Sequence, residues 1–199
     1  MTATFLLIRH AAHEDLDLRL SGRRSGVALS AEGRVQAEAL ARRVAGMGVT
    51  RVACSPLDRT LETARAIAAA CALTAPERVE ALTELDLGDW TGRALDSFGE
   101  DPDWRAWNEE RHRARPPGGE SMAEAQARIT GWLRATAAGE PGRTIAIVSH
   151  SDMIRAAVAE VLGLTLDKLL RFDIDPASIT TIIAGDWGAK LVRLNEKGA

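Results

Sequence analysis

Three short apolar runs, each rich in β-forming residues and each ending abruptly in polar ones, restrict this chain to an α/β architecture. Thr4–Ile8, Arg51–Cys54 and Thr144–Val148 lack the strict polar–apolar alternation of a half-solvated strand. They predict parallel strands buried on both faces. Helical periods lie between and after them. Ser30 is placed to cap a helix running to Met47, with Val35, Leu40, Val44 and Met47 on its inner side and Gly48 as its stop. Ser55-Pro56 reads as an N-cap followed by proline at the first helical position, and Leu57, Leu61, Ala64, Ala68 and Cys71 continue as one stripe. Ser121-Met122-Ala123-Glu124 is a capping box for a third helix that turns Ile129 and Leu133 inward. A fourth helix follows His150 and buries Ile154, Val158, Val161 and Leu162. Ser178–Leu194 predicts two strands around Gly185, a hairpin at one sheet edge. Strands alternating with helices imply an α/β fold with a mostly parallel central sheet covered on both sides. The irregular stretch Glu100–Gly119 is expected as an insertion over the site.

Length and composition narrow the class further. With 199 residues, 46% of them hydrophobic and 27% charged, the chain suits one globular domain spanning residues 1–199. A net charge of −3, from 25 basic and 28 acidic residues, gives no general attraction to nucleic acid or to anionic membranes. The two cysteines, Cys54 and Cys71, form neither a disulfide framework nor a metal motif and are expected to be buried and inert. The apolar run after Met1 is too short for a signal peptide, and no stretch approaches a membrane span, so a cytoplasmic protein is expected.

The residues just past the strands carry the chemistry. In such folds ligands bind beyond the carboxyl ends of the parallel strands. There stand Arg9-His10, then Ser55-Pro56-Leu57-Asp58-Arg59, then Ser149-His150-Ser151. One arginine or histidine there is ordinarily a solvated polar residue. Two of each, with two helix N-termini beside them, describe a site for a phosphate dianion.

These residues carry a family resemblance. Leu7-Ile8-Arg9-His10, Leu29-Ser30-Ala31-Glu32-Gly33, Cys54 to Ala64 with its Ser-Pro-Leu-Asp-Arg, Leu82-Thr83-Glu84 through Trp90-Thr91-Gly92, Pro117-Gly118-Gly119-Glu120-Ser121 and Val148-Ser149-His150 occur in one order over residues 5 to about 160. In these the chain resembles the histidine phosphatase superfamily, the phosphoglycerate-mutase-like proteins. The resemblance implies a three-layer α/β/α fold and hydrolysis of a small phosphomonoester. It implies His10 as a nucleophile that becomes phosphohistidine, and Arg9, Arg59 and His150 as ligands of the phosphoryl oxygens. Glu84 is implied as the acid that protonates the leaving oxygen and the base that later activates water. That chemistry needs an in-line nucleophile, charge neutralisation and a proton for the departing alkoxide. No metal or cofactor is expected, since the arginines and His150 supply the positive charge.

The chain departs from the family pattern at Ala11, where glycine is usual, and at Ala12-His13-Glu14-Asp15-Leu16, which lacks the Thr and Asn that often add phosphate contacts. Backbone N–H groups at Ser21, Gly22 and Ser151 are candidates to replace them. His13 is expected at the surface, with substrate contact as the alternative. Arg23 and Arg24 either extend the anion site or are solvated. Trp104 and Trp107 are expected to pack rather than cap the pocket. Asp86, Asp89 and Glu120 are the reserve candidates for the acid. Within the family the rival is a phosphoglycerate-mutase-type phosphotransferase, disfavoured by the short stretch from Gly92 to Pro117, where mutases carry a longer insertion. A non-catalytic binder of phosphorylated ligands is the rival from another class. A metallohydrolase using His10, His13, Glu84 and His150 lacks the usual ligand spacings and leaves the arginines unexplained.

Overall fold

The computed structural model describes residues 1–197. The three expected strands are present as β1 (Thr2–Arg9), β2 (Arg51–Cys54) and β4 (Thr144–Ser149), with a short β3 (Glu77–Arg78) beyond β2. The tail forms the expected hairpin of β5 (Ile179–Gly185) and β6 (Gly188–Glu196). One six-stranded sheet results, in the order β3-β2-β4-β1-β5-β6. β3, β2, β4 and β1 run parallel, while β5 and β6 each pair antiparallel.

Alternate residues of the central strands serve two different cores. Leu6, Ile8, Ala146 and Val148 face α1 (Ala31–Ala45) and α2 (Asp58–Ala70), where Leu40, Val44, Leu61 and Ile67 meet them. Phe5, Leu7, Ile145 and Ile147 face α4 (Met122–Gly139) and α5 (Ser151–Leu162), meeting Met122, Ile129, Ile154 and Val158. Both faces are therefore covered, which is why these strands read as continuous apolar runs.

Register brings the chemistry together. Ile8 lies level with Val148, and Val148 with Cys54. The chain thus leaves β1, β4 and β2 at one height, delivering Arg9-His10, Ser149-His150 and Ser55 to the same end of the sheet.

Several local expectations hold and several shift. Ser30 caps α1 by accepting from Gly33 N–H, and Ser121 with Glu124 forms the reciprocal capping box of α4. Val35, expected inside, is 66% exposed, because α1 rotates so that Gly33, Ala37, Leu40, Ala41 and Val44 face inward. Gly33 is required there: a Cβ would stand 1.9 Å from the Ala12 carbonyl oxygen, so the helix rests directly on the loop after His10. Ser55 is not the N-cap of α2. Leu57 holds that position, without a side-chain cap, and the Ser55 hydroxyl is engaged elsewhere. Leu162 is 47% exposed at the end of α5, past the turn that buries Val158. Cys54 is buried but Cys71, at the C-cap of α2, is only half-buried. The expected irregular insertion instead contains α3 (Pro102–Glu109), capped by Asp101. Trp104 and Trp107 pack with Trp90 and Phe98 in an aromatic cluster, with Trp107 fully buried. No described helix is long and apolar enough to cross a membrane.

Candidate active site

Beyond the ends of β1, β2 and β4 lies a cavity of about 170 Å³ whose walls include Arg9, His10, His13, Ser21, Gly22, Arg59, Glu84, Ser151 and Asp152. Five of those nine carry a buried side-chain polar atom with no partner: Arg9 Nε, His13 Nδ1, Ser21 Oγ, Arg59 Nη1 and Ser151 Oγ. Buried polar groups are ordinarily satisfied. Five unsatisfied atoms around one small volume, most of them able to donate, mark where an oxyanion fits.

His10 leaves β1 with its ring 3% exposed. A carbonyl can only accept, so the 2.9 Å contact of His10 Nδ1 with the Ala11 oxygen makes Nδ1 the protonated nitrogen. Nε2 keeps its lone pair and receives Arg59 Nε–H at 3.3 Å. Burial, then the neighbouring Arg59 and Arg9, hold the imidazole well below its ordinary pKa, so the ring is neutral at pH 7. Ala11 takes the place of the family's glycine without strain, since it is absent from the residues with positive φ. Its N–H donates to Thr63 Oγ1 at 3.1 Å.

Arg59, on the first turn of α2, is the hub. Its Nη2 donates to the Gly22 carbonyl at 2.7 Å and to His150 Nδ1 at 3.3 Å. A guanidinium cannot accept, so His150 Nδ1 is the acceptor and its Nε2–H donates to Ser55 Oγ at 2.9 Å. Burial, then Arg59 and His10, also keep His150 neutral, well below its ordinary pKa. Arg9 is anchored through Nη1 to the Ile174 carbonyl at 2.7 Å. Gly22 contributes its carbonyl to Arg59, while Ser21 and Ser151, both in the cavity wall, have buried hydroxyls without a partner.

Glu84 follows the short 3-10 turn Glu80–Leu82. Its Oε1 accepts Leu85 N–H at 2.9 Å, and its Oε2 stands 3.7 Å from His150 Nδ1. Burial, reinforced by the Asp152 carboxylate, raises it to about 7 against the pull of Arg59 and Arg9. The group can therefore give or take a proton near neutrality. Its backbone is held by Arg23, whose Nε donates to the Glu84 carbonyl at 2.8 Å.

Other candidates fall elsewhere. Arg23 also pairs with Asp86 and Glu120, and Arg24 pairs with Asp15, so neither reaches the cavity. Asp86, Asp89 and Glu120 do not line it either. His13 corrects the surface expectation. It is 7% exposed, lines the cavity, and its ring centre lies 5.3 Å from that of His10. Asp152, one residue past Ser151, is a site residue that no motif signalled; it is clamped by Arg111 Nη1 at 3.1 Å. Arg111 is itself buried against the Trp107 ring. Among the described residues no three His, Cys, Asp or Glu side chains converge as metal ligands.

The chain as a whole is similar to known proteins. Residues 5–197 match the family model of the histidine phosphatase superfamily, branch 1. The chain is 32% identical over 195 residues to phosphoserine phosphatase 1 of Hydrogenobacter thermophilus, covering 96% of this chain and 90% of that one. It is also 32% identical over 183 residues to a "probable phosphoglycerate mutase" of Salmonella paratyphi B, covering 88% and 82% of the two chains. The mycobacterial glucosyl-3-phosphoglycerate phosphatase, solved in complex with VO3, superposes with a TM-score of 0.88 at 27% identity, covering 98% of this chain and 99% of that one.

Proposed function

The chain belongs to the histidine phosphatase superfamily, and we propose that it hydrolyses a small phosphomonoester through a phosphohistidine on His10. It is a phosphoric monoester hydrolase. The observation that carries the reading is a neutral imidazole in the cavity wall, unprotonated at Nε2 and held there by the Arg59 guanidinium, with Arg9 lining the same cavity.

In the first step His10 Nε2 attacks phosphorus and the bond to the leaving oxygen breaks. Glu84 gives that oxygen its proton. Arg9 and Arg59 neutralise the equatorial oxygens, with further donors at Ser21 and Ser151. His150 reaches an oxygen as a donor once Nδ1 is protonated, which the arriving dianion itself favours. In the second step the Glu84 carboxylate takes a proton from water. The water oxygen attacks phosphorus, and the electron pair of the N–P bond returns to Nε2.

The relatives act, by their names, on phosphoserine and phosphoglycerates, which supports a small phosphorylated metabolite as substrate. The mutase-named relative favours a second reading, in which phosphohistidine returns its group to the substrate. The free thiols of Cys54 and Cys71 suit a reducing compartment, and the cytoplasm is the proposed place of action. One experiment tests the reading: incubation with a panel of phosphomonoesters, with quenched samples assayed for acid-labile phosphoprotein. Inorganic phosphate released together with a phosphohistidine mapped to His10 is expected. Isomerised substrate without phosphate supports the mutase. Turnover with no phosphoprotein on rapid quenching counts against the covalent route.

A further inference from the structure

Resting on the reading of this cavity as a phosphoryl pocket, we propose that His13 is a further phosphoryl-binding residue, its neutral imidazole donating an N–H to a non-bridging oxygen. The backbone forces the ring inward. His13 makes an antiparallel bridge with Leu29, and Leu16 N–H donates to the His13 carbonyl at 3.0 Å, closing a tight turn just past the nucleophile. The side chain is consequently 7% exposed, forms part of the cavity wall, and is tilted 36° against the His10 ring.

Its Nδ1 is buried and has no hydrogen-bond partner among the described residues. The acid nearest in sequence does not serve it: Asp15 turns to Arg24 at 3.3 Å. Burial, then Arg59, drives the ring down to about 4, with Asp15 and Asp17 opposing and Arg9 assisting. His13 is therefore uncharged at neutral pH and holds one N–H and one lone pair. Its neighbours decide what such a donor is for. Arg9 and Arg59 repel a cation, and Arg9 Nε and Arg59 Nη1 are unpartnered in the same wall. A tetrahedral oxyanion is the ligand that satisfies all three at once.

The test compares wild type with His13→Asn, which keeps a neutral donor, and His13→Phe, which keeps the ring shape without one. The readout is inhibition of nitrophenyl phosphate hydrolysis by inorganic phosphate. His13→Phe is expected to weaken phosphate inhibition, and to raise KM, between about tenfold and a hundredfold, with kcat changed less. His13→Asn should recover most of that loss. In wild-type protein, titration with phosphate should move the His13 imidazole N–H signal, a readout that needs no variant. An unmoved signal, an unchanged inhibition constant in folded His13→Phe, or a fall in kcat alone would overturn the assignment, the last result leaving only packing against His10. Wild-type protein that neither hydrolyses nor binds phosphate overturns the phosphatase reading and this inference with it.

Discussion

Two cavities sit at opposite ends of the same sheet, and the larger has the less chemistry. One, of about 640 Å³, lies where β1 begins and β5 ends, between α4, α5 and the hairpin, lined by residues such as Met1, Ala137, Val161 and Ala184. Its charges are matched: Arg134 pairs with Glu160, and the Met1 ammonium stands 3.8 Å from Asp186. None of its lining residues carries a buried polar atom without a partner. The other, of about 170 Å³, gathers five such atoms. Folding favours satisfied groups, so unsatisfied donors persist only where the surrounding structure holds them. Five of the nine such atoms among the described residues thus belong to the smaller cavity.

The contrast makes graded demands on mutants. His10→Ala should lower kcat by at least about 10⁴-fold while leaving the protein folded, because it removes the proposed nucleophile and little of either core. Turnover near wild type in a folded variant removes the small cavity from the chemistry altogether. Glu84→Gln should cost about 10²–10⁴-fold on an alkyl phosphate. It should cost far less on nitrophenyl phosphate in the burst of first product, since a nitrophenolate departs without a proton. Equal losses in that burst would leave Glu84 a positioning residue.

The same carboxyl gives a stability prediction of opposite sign. Its pKa is raised from an ordinary 4.5 to about 7. Its contribution to stability is therefore whole below about 4.5 and lost as pH rises through 7. Glu84→Gln should be more stable than wild type at pH 8 by up to about 3 kcal/mol, and nearly equal to it at pH 4.5. Thermal melts at the two pH values check this, and a variant less stable at pH 8 would show that Glu84 is not held against its preferred ionised state. The smallest effect belongs to the other end. Arg134→Ala removes an exposed ion pair and should change stability by less than about 1 kcal/mol, with kcat/KM within about twofold. A tenfold loss of kcat/KM would couple the two cavities.

Much of this was legible from local signals. Ser30 and the Ser121–Glu124 box announce helix starts because capping is settled within four residues. The apolar runs announce buried parallel strands because burial on both faces leaves no alternation. Arg9, His10, Arg59 and His150 were legible by their place after those strands, and Glu84 only by its place in the family's motifs.

The features that stayed hidden depend on partners far along the chain. Ser55 has the form of an N-cap, but the helix begins only at Asp58, and the Ser55 hydroxyl accepts from His150, distant in sequence. His13 has the form of a surface residue in a polar stretch, until pairing with Leu29 turns it into the cavity. Asp152 gains its influence on Glu84 only once Arg111, delivered by the segment after α3, clamps it. Residue types and spacing alone thus determined the layers and the parallel core strands, and with the family's motifs they picked out the candidate reacting groups. Strand order, the tautomer of His150 and the near-neutral Glu84 were decided by tertiary structure. They depend on desolvation and on fixed charges a few ångströms away, and those exist only after distant segments have packed together.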